Sequence, residues 1–122
     1  MIQFAFALIM FAAPVPRVPV VTVCDLVRHP FTYDGKELNI KSAGFFKEGY
    51  LLEDNKCPDL RVALSFEEHR ETEKQFKDMP VFGRQIPALS GDIIGRFTYH
   101  PNAEKKYVFE VLRVGPLAAV WN

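Results

Sequence analysis

An excess of charge of either sign is the first thing missing from this 122-residue sequence: 15 lysines and arginines meet 15 aspartates and glutamates. A protein that grips nucleic acid without sequence preference needs a basic surface to displace counterions from phosphates, so a neutral chain argues against nucleic acid as a partner. Repeats and low-complexity tracts are also missing, and the composition, 48% hydrophobic and 25% charged, is that of an ordinary folded domain. Also absent is an apolar run of the roughly 20 residues needed to cross a bilayer. Residues Ile2 to Ala13 are apolar apart from Gln3, and Pro14, Pro16 and Pro19 then bar helical continuation. That length suits the apolar region of a secretory signal, so residues 1–16 are expected to be a signal peptide and 17–122 the mature domain, periplasmic or secreted. No Lys or Arg precedes the run, and Phe11-Ala12-Ala13-Pro14 is a poor cleavage site. A hydrophobic first strand or a membrane-associated helix is therefore the alternative.

Cysteine is scarce too. Cys24 and Cys57 are the only two, spaced as neither a zinc site nor a Cys-x-x-Cys redox pair. In an exported chain a lone pair is expected to form one bridge; two buried thiols are the other reading. The 3 histidines, His29, His69 and His100, are scattered, so no metal site is expected. No cofactor motif is present.

The residues that remain describe a mainly β protein. Thr22-Val23-Cys24-Asp25 fits a capping box and predicts a short N-terminal helix that Pro30 ends. Tyr33-Asp34-Gly35-Lys36 has turn chemistry. Leu38 and Ile40 alternate with polar neighbours as a first strand, and Phe45 to Gly49 turns the chain. Tyr50 to Glu53 makes a second strand, and Leu60, Val62, Leu64 and Phe66 alternate through a third. Phe66 to Met79 is rich in helix formers with only Phe76 and Met79 to bury, a mostly solvated helix. Pro80 to Gly91 reads as a long loop whose Val81, Phe82, Ile86 and Leu89 fold back as a partial lid. In the fourth strand Ile93, Phe97 and Tyr99 share one face with Gly95 at a bend, while Ile94, Arg96, Thr98 and His100 share the other. Pro101 to Glu104 is a turn into a fifth strand, Tyr107 to Val114. Five strands with a helix between the third and fourth is the element order of an OB-like barrel, an open five-stranded α+β sheet being the alternative.

Leu26, Pro30, Tyr33, Gly35 and Lys36, followed by the alternating Leu38 and Ile40, resemble the opening of a family of small exported bacterial OB-fold domains. The similarity covers about 20 residues directly, with Cys57-Pro58 in the loop after the second strand as a further likeness. Ser42 stands where that pattern has a glycine, and Gly44 follows two residues later. Because many members of the family have no assigned activity, the resemblance implies a fold and a compartment, not a reaction.

Catalytic constellations are weak. Ser90, Asp92 and His100 lie close in sequence without a nucleophile elbow. His69 and Glu73 have one-turn spacing, but on a charged helix that is an ordinary solvated face. Arg61, Arg84, Arg96 and Arg113 lack a clustered acidic partner motif. The sequence therefore favours a noncatalytic binding or interaction domain for a protein, an envelope component or a small ligand. A phosphodiester-acting enzyme and a single-strand nucleic-acid binder are the alternatives. The ligand-binding residues expected are Phe45, Phe46 and Tyr50 at the first turn together with Arg96, Thr98 and His100 on the fourth strand.

Overall fold

The capping box forms as its chemistry requires: Asp25 N–H donates to the Thr22 hydroxyl at 3.0 Å and Thr22 N–H to the Asp25 carboxylate at 2.9 Å. It starts helix α1, Val23–Arg28, in a computed structural model that describes residues 17–121. The expected signal peptide lies outside the described residues. Before α1 runs a two-residue strand, β1 (Val20–Val21), and after it a single turn, α2 (Pro30–Tyr33), with Pro30 at its first position. Strands β2 (Glu37–Phe46), β3 (Leu51–Glu53) and β4 (Arg61–Ser65) follow. A 3₁₀ turn (Arg70–Thr72) and helix α3 (Glu73–Lys77) come next, then β5 (Ala88–Tyr99), β6 (Tyr107–Val114) and β7 (Ala118–Val120).

The pairing order β2-β3-β4-β6-β5, together with the β2–β5 ladder, closes a five-stranded barrel. Within it only β4 and β6 run parallel. This is the OB-like barrel that the element order predicts. β1 and β7 are extra strands: β1 pairs with Asn39 and Ile40 of β2, and β7 with Ala88 to Ser90 of β5.

Leu38, Phe45, Leu52, Val62, Ile93, Phe97, Phe109 and Val111 fill the interior; burial alternates through β5, whereas in β2 and β4 the intervening Asn39 and Ala63 are buried as well. Each end of the barrel is then plugged by a helix. At the β3–β4 loop end, Val23, Leu26 and Val27 of α1 are buried, and a Cys24–Cys57 disulfide ties the helix to that loop. At the other end, Phe76 of α3 packs its ring 5.4 Å from both Phe45 and Phe66. The resembling residues have structural work here: Leu26 is fully buried, Tyr33 packs against the core, and Gly35 takes φ +78° in the turn.

Four differences from the sequence reading have local causes. The first strand runs on to Phe46, because its second half has partners in both β3 and β5; its bend is a register shift between Ile40 and Ser42, not a glycine. The solvated helix shrinks to residues 70–77, since Glu68 N–H is drawn to the Glu110 carboxylate at 3.1 Å instead of into a helical turn. The loop from Pro80 ends at Pro87, because Ala88 to Ser90 lie between β2 and β7. Leu89, expected in a lid, consequently faces inward and is buried. No helix among the described residues is long and apolar enough to cross a membrane.

Candidate functional site

The six residues expected to bind a ligand divide into two groups that the barrel keeps apart. Phe45 is core. Tyr50 stands edge-on to Phe66 at 5.4 Å and donates its hydroxyl to Glu73 at 3.1 Å, which fastens the first turn to α3. Burial, and then the Glu73 carboxylate, push the Tyr50 phenol above its ordinary range. Phe46 faces outward, with the Arg61 guanidinium 3.9 Å above its ring. On the fourth barrel strand, β5, Arg96 lies 3.6 Å from Glu68, and the His100 ring nitrogen is 3.2 Å from the Thr98 hydroxyl. The cross-strand partners Phe46, Leu51, Ala63, Val108 and Thr98 form one outward row. Four inter-strand steps of about 4.8 Å put Phe46 and Thr98 roughly 19 Å apart along a curved wall. They do not meet around one small ligand.

The other chemistry weighed in the sequence is similarly dispersed. Asp92 accepts from Asn39 Nδ2 at 3.0 Å and pairs with Lys41 at 3.6 Å, whereas His100 bonds Thr98, so Ser90, Asp92 and His100 are not linked. The amide donated by Asn39, with Lys41 beside it, holds the Asp92 carboxyl below the usual aspartate range. His69 meets Glu71 at 3.4 Å, not Glu73. Arg61, Arg96 and Arg113 are each held by a different carboxylate, Glu53, Glu68 and Glu37. Among the described residues no three His, Cys, Asp or Glu side chains gather as a metal site.

What does gather is apolar surface. After α3 the chain buries Met79 and then runs outward. The carbonyl of Met79 accepts the Lys47 ammonium at 2.7 Å, and that of Pro87 accepts Phe45 N–H at 3.0 Å. These two bonds hold residues 79–87 as an arch beside the first turn. A tight turn inside the arch, Gln85 N–H to the Phe82 carbonyl at 3.0 Å, leaves Val81, Phe82 and Ile86 exposed. β7 then brings Trp121, the only tryptophan, edge-on to Phe82 at 4.7 Å. Between these pieces lies an open groove of about 530 Å³, lined by Phe46, Met79, Val81, Arg84, Ile86 and Trp121 among others. Its volume falls in the range of small-molecule and peptide side-chain sites. Of the residues expected to bind a ligand only Phe45 and Phe46 border this groove; Val81, Phe82 and Ile86 were expected as a lid, and Trp121 was not singled out, although the unbroken apolar run Leu117 to Trp121 carries its signal.

Comparison with known proteins found no matching family model, no matching curated protein and no matching solved structure. The site's chemistry is the ground on which its function must be argued.

Proposed function

We propose that this chain is a noncatalytic binding domain, periplasmic or secreted, that holds an apolar segment of another polypeptide in the groove between the first turn, the 79–87 arch and Trp121. The carrying observation is where the exposed apolar side chains are. Val81 (58%), Phe82 (53%) and Ile86 (41%), all on the arch beside the groove, leave much of their surface in water, and each such surface costs about 25 cal/mol per Å². Contiguous exposed apolar patches mark interaction sites. An oxidising compartment fits the Cys24–Cys57 disulfide, because such bonds persist outside the cytoplasm. The export signal expected in residues 1–16 fits the same compartment.

The test is selection of the oxidised protein against a displayed library of random nonapeptides, followed by titration of synthetic hits on Trp121 fluorescence. Apolar peptides should be enriched, and Phe82→Asp should weaken them at least tenfold while the melting temperature stays within a few degrees. Failure to enrich any peptide, or hits indifferent to Phe82→Asp, refutes the assignment.

A further inference from the structure

The groove has an unusual neighbour, an unprotected sheet edge. The sheet ends at β1 on one side and β7 on the other. Exposed edges invite pairing by other chains, and proteins blunt them with prolines, charges or brevity. β1 follows that rule: it is two residues long, and Arg17 and Pro19 precede it. β7 does not. Leu117-Ala118-Ala119-Val120-Trp121 contains neither charge nor proline, and its side chains alternate between exposed Ala118 and Val120 and half-buried Ala119. One edge of β7 is taken by Ala88 to Ser90, and the opposite edge has no partner among the described residues. That edge therefore has only its brevity to keep other chains from pairing with it.

Resting on the reading of the groove as a peptide site, we infer that the partner segment binds by strand addition: it extends the sheet at the free edge of β7 and passes Trp121 into the groove. Three features choose this occupant over a second copy of the chain. The groove is concave, and two concave grooves facing across a twofold axis leave a void where a single extended chain fills each with alternate side chains. The patch is also small. Three roughly half-exposed side chains of at most about 200 Å² each leave about 300 Å², well under half of the 800 Å² or so per partner in a standard interface. Finally, Lys47 and Arg84 line the groove against a lone acid, Glu48, and Arg84 is in no ion pair among the described residues. The partner is therefore an extended, mainly apolar peptide that carries a carboxylate for Arg84.

The experiment uses the library nonapeptides with the oxidised full-length protein. Each hit is resynthesised with single backbone N-methyl groups, and amide hydrogen exchange is followed at residues 118–120 with and without peptide. Strand addition predicts that N-methylation at every second position weakens binding more than tenfold while the positions between are tolerated. It also predicts that at least one amide of Ala118 to Val120 exchanges more than tenfold slower in the complex. Val120→Lys should abolish binding at unchanged melting temperature, and Arg84→Gln should weaken only hits that contain Asp or Glu. Hits that bind the groove but tolerate N-methylation everywhere and leave the β7 amides unprotected overturn strand addition while sparing the groove as a peptide site. No hits at all overturn both. Concentration-dependent dimerisation in sedimentation velocity that Val120→Lys abolishes overturns the peptide in favour of a second copy.

Discussion

Removing the Cys24–Cys57 bridge should cost this barrel a large share of its stability, chiefly by releasing the unfolded chain. The bridge spans a sequence separation of 33. In the chain-entropy treatment a loop of that length removes about 12 to 13 cal/mol/K from the unfolded ensemble, or about 3.7 kcal/mol at 25 °C. A domain of this size is stable by roughly 5 to 15 kcal/mol, so between a quarter and three quarters of the total is at stake. Local contacts add to the effect, because both cysteines are buried and the bridge holds α1 over one open end of the barrel. Converted at about 4 to 8 °C per kcal/mol, the melting temperature should fall by roughly 15 to 30 °C. The assay is urea unfolding of the oxidised protein, the same protein in reductant and the Cys24→Ala/Cys57→Ala variant. The midpoint should drop in both reduced forms. The m-value should rise, because an uncrosslinked unfolded chain exposes more surface. A loss below about 1 kcal/mol with an unchanged m-value would refute the reasoning, since neither the loop entropy nor the helix plug would then matter.

Two further outcomes follow from single residues. A Cβ at Gly95 would collide with the Glu110 carbonyl oxygen and lie 2.6 Å from the Phe109 ring, both fixed in the β5–β6 ladder; Gly95→Ala should therefore cost at least the roughly 1 to 3 kcal/mol typical of overpacking, read by chemical denaturation. Asp92 has its carboxyl held low by Asn39 and then Lys41, so its stabilising contribution is present above the unfolded value of about 3.9 and lost as pH falls through the lower folded value. Asp92→Asn should flatten the acid limb of stability below about pH 4, and an unaltered limb would show that the Asn39 contact does not favour the ionised form.

The barrel was legible in the sequence because its strands are half-buried, and half-burial writes itself as alternation. Ile93 and Phe97 in β5 carry that period and are buried; Val62 and Leu64 carry it in β4, where Ala63 between them is buried as well. The disulfide was legible by counting. β1 and β7, at two and three residues, are too short for a period, and Val20-Val21 and Ala118-Ala119-Val120 become strands only because a neighbour offers them an edge. The start of β5 looked like loop because Pro87 and Gly91 bracket it, and nothing local reveals that two strands flank it. For the site, composition could not tell which rings are core in a chain with 11 phenylalanines. Phe45 and Phe46 are adjacent and chemically identical, yet strand parity buries one beneath Phe76 and turns the other out beneath Arg61.

Parity and plugging together also decide where function can be. The interior is filled by Phe45, Phe97 and Phe109, and the two ends are stopped by α1 and α3, so no ligand enters the barrel and any contact surface must be on its outer wall. A five-stranded barrel closes through β2–β5 pairing without the 79–87 arch or β7. Ordering those two segments costs about 1 to 2 kcal/mol of backbone entropy per residue, and much of the apolar surface they carry stays in water instead of repaying that cost. Two segments unnecessary for closure, far apart in sequence, nevertheless meet through Phe82 and Trp121 at 4.7 Å. Their convergence on one flank is hard to explain by stability alone, and it has a direct explanation if the surface they build is completed by a partner.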